Sequence, residues 1–158
     1  MSLAAQRQKY VQLCHDARQT TTERLSPLNG VSFTLTEWSG RAYEASKLWD
    51  GGYYDWLEIS RRFSEPDRLA LALWAEDRLL AMALATTTGS ALFLQVVEGD
   101  PAADCPLQGL RLEIILDACA NYAQCRGKSE LRLEPKNQDL VALYENVYGF
   151  HRVNVRGG

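Results

Sequence analysis

The spacing of apolar residues changes period several times along the chain, and each change marks an element. Leu3, Arg7, Tyr10, Val11, Cys14 and Arg18 form one stripe at helical spacing, which predicts a helix over residues 3–18 that ends near Thr20-Thr21-Thr22. Pro27, Asn29 and Gly30 punctuate a loop, and Val31-Ser32-Phe33-Thr34-Leu35-Thr36 then alternates as a half-buried strand does. Ser39 is placed to cap a short helix through Leu48, which Asp50-Gly51-Gly52 breaks. Tyr53, Trp56, Ile59, Ser60 and Phe63 predict a further helix that runs to Ser64 before Pro66. Residues 68–74 and 79–84 flank the polar pair Glu76-Asp77 and predict a β-hairpin. Thr88-Gly89-Ser90 turns the chain into 91–97, a run apolar enough to lie mid-sheet with both faces covered. From Gly109, residues Leu110, Ile114, Ile115, Ala118, Cys119 and Tyr122 predict an amphipathic helix with Gly127 at its C-terminal cap. A strand over 129–133, a helix from Gln138 and a strand over 151–155 complete the order.

Composition narrows the class. With 158 residues and 46% hydrophobic content, the chain can bury one core, so a single domain over 1–158 is expected. No apolar run approaches the roughly 20 residues of a membrane helix, and no charged, long apolar leader opens the chain, so the expectation is a cytoplasmic protein without a membrane partner. Cys14, Cys105, Cys119 and Cys125 contain no C-x-x-C pair, and His15 and His151 are the only histidines, which points to reduced thiols and no metal site. A formal charge of −3 disfavours a nucleic-acid partner. The basic clusters at Arg61-Arg62 and between Arg126 and Lys136 read either as solvated surface or as an anion site.

Toward the end of the chain Asn137, Leu140, Leu143 and Tyr144 lead into Tyr148-Gly149-Phe150. This N-x-x-L-x-x-L-Y-x-x-x-Y-G-F pattern resembles the closing helix of the GNAT N-acetyltransferases. The frame before it is similar in order, from the long strand and Pro101 through Gly109 and its helix to Ala123 and Gly127, so the match covers about residues 67–150. The resemblance implies an α/β fold with a central, mixed, mostly antiparallel sheet flanked by helices. It also implies acetyl-CoA as cosubstrate, an amine acceptor of small-molecule or protein type, and homodimer formation as a common assembly. The family's Q/R-x-x-G-x-G/A phosphate loop is degenerate here: Gly109 matches its central glycine, whereas Pro106 and Arg111 replace the other two positions.

Acetyl transfer needs a fixed thioester, a polarised carbonyl, a neutral amine and a proton source for the leaving thiolate. The resemblance places Val96, Val97, Gln108, Gly109, Leu110, Arg111, Leu112 and Asn137 at the cofactor. Arg111 there either grips the pyrophosphate or blocks it. Asn137 either steadies the cofactor arm or caps the following helix. Tyr144 falls on the proton-donor position, with a core aromatic as the other reading. The strand over 91–97 holds no carboxylate, so Glu98 is the nearest general base, against a solvated strand-end glutamate. Asp50, Tyr53, Tyr54 and Asp55 fall where the family walls its acceptor site, and they offer carboxylates and cation–π faces to an ammonium group. Trp49 and Trp56 either join that wall or pack the helix onto the sheet. A catalytically degenerate domain that binds a protein or acyl-CoA is the alternative function, motivated by Pro106, Arg111 and the missing strand carboxylate.

Overall fold

The computed structural model describes residues 2–134. The expected helix from Gln138 and strand over 151–155, with Asn137 and Tyr144, lie outside the described residues. Helix α1 spans Leu3–Leu25 and so runs well past the expected end. Tertiary bonds outweigh the low helix propensity of its threonines: the fully buried Thr21 donates to Asp117 Oδ2 at 2.8 Å and accepts from Asn121 Nδ2 at 2.9 Å. Strand β1 (Thr34–Thr36) is shorter than its pattern, because Val31 instead bridges Leu28 in the preceding loop. Helix α2 (Gly40–Lys47) carries Ser39 as its N-cap, as expected. Helix α3 covers only Trp56–Arg62, since Asp55 caps it by accepting from the Glu58 N–H at 3.2 Å.

The expected hairpin forms from β2 (Leu69–Ala75) and β3 (Arg78–Thr88), with Ala75 opposite Arg78 and Glu76 at φ +54° in the two-residue turn. Strand β4 (Ala91–Gly99) continues the antiparallel run, helix α4 (Arg111–Cys125) crosses over, and β5 (Glu130–Leu133) returns parallel to β4. Gly127 at φ +68° ends α4, with the Lys128 N–H on the Ala123 carbonyl at 2.8 Å. The sheet order is β1-β2-β3-β4-β5, antiparallel except for its last pair.

Both faces of the sheet are covered. Leu69, Leu71, Leu73, Leu92 and Leu94 pack toward residues of α1 and α4, while Ala70, Ala72, Trp74, Met82 and Leu84 pack with Trp38, Trp49, Trp56 and Ile59 on the side of α2 and α3. Strand side chains alternate with period two, so Val96 should share a face with Leu92 and Leu94. It does not: Leu84 pairs with Val96 and Ala85 with Leu94, which leaves Gln95 as an extra residue in a β-bulge. The bulge turns Val96 to the α2/α3 face. Glu98, two residues on, follows it there.

Candidate functional site

The bulge brings together two groups of candidates from separate parts of the sequence. Glu98 is half-buried at the end of β4, where Oε2 accepts from the Tyr53 N–H at 2.5 Å and Oε1 from the Trp56 indole N–H at 2.9 Å. It is therefore not a merely solvated strand-end glutamate. All four tryptophans have partnered indoles. Trp38, Trp49 and Trp74 donate to the Leu71 carbonyl, the Leu79 carbonyl and Thr36 Oγ1, and Trp56 alone donates to a carboxylate. Segment 49–56 is thus anchored on β3 through Trp49 and on β4 through Glu98. Between the anchors Asp50, Gly51, Gly52 and Tyr53 are exposed and Tyr54 is half-buried. Edge-on ring contacts link Tyr53 to Tyr54, Tyr54 to Trp56 and Trp56 to Trp38, with centroids 4.8, 5.7 and 5.2 Å apart. Trp56 thereby packs in the core on the α2/α3 face while its ring also touches Tyr54 and its indole holds Glu98.

The expected phosphate loop lies at the same end of the sheet. Gln108 and Gly109 are exposed, Gly109 sits at φ +87° with open space before its Cα, and no side chain caps the first turn of α4. Such a turn presents unpaired N–H groups and the positive end of the helix dipole. Leu110 and Leu112 are half-buried beside it. The Arg111 guanidinium turns back onto the sheet, where it donates to the carbonyls of Leu80 at 3.1 Å and Asp100 at 2.9 Å and lies 3.2 Å from Cys105 Sγ. It passes so close to β4 that a Cβ on Gly99 would stand 2.5 Å from Arg111 Cζ. Asp100 in turn accepts from Arg78 at 3.0 Å, and Arg78 also holds Asp104. Two arginines therefore pin the long loop after β4.

Strands β4 and β5 pair only from Ala91/Glu130 to Leu94/Leu133. Among the described residues, Val96, Val97 and Glu98 have a strand neighbour on the β3 side alone. Asn137 and Tyr144 lie outside the described residues, so Glu98, Val96, Val97, the 108–112 loop and the 50–55 wall are the candidates that the fold gathers at one end.

A concavity of about 390 Å³ opens at the opposite end of the sheet and is lined by Cys14, Glu37, Ser60, Glu65 and Arg68 among others. Its arginine is engaged by the Ser60 and Phe63 carbonyls at 2.8 and 2.7 Å. All four thiols are unpaired, and Cys14, Cys105 and Cys119 are buried, which leaves those three unsuited to nucleophilic work. Burial raises Cys14 and Cys105 and pushes Cys119 up to about 12. Among the described residues there is no cluster of His, Cys, Asp and Glu suited to a metal ion, and no helix long and apolar enough to cross a membrane.

No protein-family model matches the sequence, and no curated protein does. Solved structures do match. The ribosomal-protein-S18-alanine N-acetyltransferase from Escherichia coli is 21% identical, with 77% of this chain and 79% of that one covered at a TM-score of 0.56. A transcriptional regulator from Bacillus halodurans is 19% identical, with 78% and 95% covered at 0.58. The PaiA N-acetyltransferase from Thermoplasma acidophilum, solved with coenzyme A, is 18% identical, with 80% and 94% covered at 0.50. The element order and mixed sheet agree with these likenesses: the chain has the GNAT acyl-CoA N-acyltransferase fold.

Proposed function

We propose that the chain is an acetyl-CoA-dependent N-acetyltransferase that moves an acetyl group to an amine of a small molecule or protein. One observation carries this reading. The uncapped first turn of α4 and the end of β4 that runs beyond β5 meet at one edge of the sheet, beside an aromatic and acidic wall. The exposed Gln108-Gly109 backbone and the first turn of α4 suit a pyrophosphate, which needs N–H donors and close approach. Acetyl-CoA supplies the activated thioester. Val96 and Val97 lie on the stretch of β4 that, among the described residues, has no neighbour on the β5 side, and their backbone groups are the proposed partners of a carbonyl and an amide chain. Asp50, Tyr53, Tyr54 and Asp55 form the acceptor wall, where carboxylates and ring faces attract an ammonium group. Asn137 is the proposed holder of the cofactor arm, and Tyr144 the proposed proton donor to the departing thiolate, its reference pKa near 10 suiting that task. In this reading Arg111 neither grips nor blocks the phosphates, but fixes the loop that presents them.

The second reading is a catalytically degenerate domain that binds acyl-CoA or a protein. It is favoured by Pro106 and Arg111, which depart from the loop pattern of the fold's enzymes. Calorimetric titration of acetyl-CoA, with free coenzyme A and a buffer blank alongside, separates the two. Saturable binding in the micromolar range followed by transfer to an amine supports the enzyme. Binding without transfer to any amine favours the degenerate module, and no heat at millimolar cofactor removes the acyl-CoA reading altogether.

A further inference from the structure

Glu98 stands where a general base would be sought, yet both of its carboxylate oxygens are engaged by N–H groups of one short segment. These donors differ in kind. Trp56 is 2% exposed and its indole N–H would be a buried, unpaired donor without the carboxylate, whereas Tyr53 contributes a backbone N–H from an exposed turn. The segment has its other anchor at Trp49 on β3, so Glu98 fixes the end of it that adjoins α3. The extra residue Gln95 makes this meeting geometrically available, because without the bulge Glu98 would face α1 and α4. Gln95 is itself held by Thr86 Oγ1 at 2.9 Å.

We propose that Glu98 is a positioning residue that latches the 50–55 acceptor wall onto β4 and thereby sets affinity for the amine, rather than the group that takes the amine proton. The proposal deepens the N-acetyltransferase reading and rests on it for the affinity statement, but the latch itself is observable without any reaction.

The test compares full-length protein with Glu98→Gln, which keeps one acceptor oxygen, and Glu98→Ala, which keeps none. Amide hydrogen exchange is followed in segment 50–56 and in β2–β4, and kinetics use the fastest primary amine from a panel of diamines, amino sugars and peptide N-termini. Exchange in 50–56 should accelerate about tenfold or more, the factor for one charge-assisted hydrogen bond, with Ala exceeding Gln and the β2–β4 amides unchanged. KM for the amine should rise by a similar factor, while kcat and the acid limb of its pH profile stay in place. Unchanged exchange in 50–56 would overturn the latch. A collapse of kcat with loss of the acid limb at unchanged KM would make Glu98 the base and overturn the proposal from the other side. If the protein binds no acetyl-CoA, the enzyme reading fails while the exchange result still decides the latch.

Discussion

Asp67 and Glu98 tie down opposite ends of the same sheet, and they do so with different donors. Asp67 precedes β2 and accepts from Thr87 Oγ1 at 2.6 Å and from Arg126 at 2.9 Å, while Tyr122 OH donates to its backbone carbonyl at 2.6 Å. Every donor sits on β3 or at the end of α4, and Arg126 is further covered by the Tyr10 ring at 4.4 Å. Glu98 accepts only neutral N–H groups, one of them from a loop. Shifted titration marks the first site: burial pushes the Asp67 carboxyl up, but the Thr87 and Arg126 hydrogen bonds and the arginine charge outweigh it and hold it below the usual range. Burial likewise raises Tyr122. Perturbed titration is a common pointer to function. Here it points to a structural brace, and at the candidate end the carboxylate of Glu98 instead holds an exposed turn and a buried indole through neutral donors.

The largest expected effect breaks the brace. Arg126→Ala leaves Asp67 without its cation, and because the two side chains retain 14% and 19% exposure the loss is about 2–3 kcal/mol in urea unfolding, below that of a fully buried pair. The pH dependence has a definite sign. A carboxyl whose folded pKa is depressed stabilises the fold above its unfolded pKa and loses that contribution as pH falls toward the folded value, so wild-type stability should decline below about pH 4. Asp67→Asn should flatten that part of the decline. If the two curves run parallel, the brace carries no linkage.

A smaller effect tests the loop that separates the two ends of β4 and α4. Gly99→Ala introduces a Cβ 2.5 Å from a guanidinium held by two carbonyls, and overpacking of this kind costs about 1–3 kcal/mol. Arg111→Ala frees the space and the loop together. The double variant should be less destabilised than the sum of the singles, a coupling that thermal unfolding of all four proteins would measure. If Arg111 grips pyrophosphate, Arg111→Ala should instead weaken acetyl-CoA binding without loosening the loop.

Much of this was legible in the residues, for a physical reason in each case. The hairpin at Glu76-Asp77, the Ser39 cap, the crossover helix and the Gly127 stop are set by local chemistry, so the pattern predicts them. Three features depend on partners distant in the chain. The Thr20–Thr22 turn stays helical because Asp117 and Asn121 lie across from it, nearly a hundred residues away. The Gln95 bulge depends on the register with β3 and does not follow from the pattern of 91–97 alone, although a lone polar residue in an otherwise apolar run is a usable hint. The inward turn of Arg111 follows from Gly99, which reads in sequence as an ordinary strand end. Of the candidate site, Glu98 and the 50–55 segment were legible as separate candidates, but their meeting was not, since it takes the bulge to turn one toward the other.

The finest distinction concerns Asp55, which the sequence offers as a partner for an ammonium group and the fold uses as the N-cap of α3. The two roles are separable by chemistry. Serine caps a helix about as well as aspartate, so Asp55→Ser should change stability by no more than a few tenths of a kcal/mol, whereas Asp55→Ala should cost about 1 kcal/mol. Serine keeps a capping oxygen at that position but carries no carboxylate charge. A rise in KM for the amine with Asp55→Ser, at unchanged stability, would therefore assign the charge to the acceptor. An unchanged KM, with Asp55→Ala raising it, would show that Asp55 acts through the start of α3, and hence through the same segment that Glu98 holds from the opposite side.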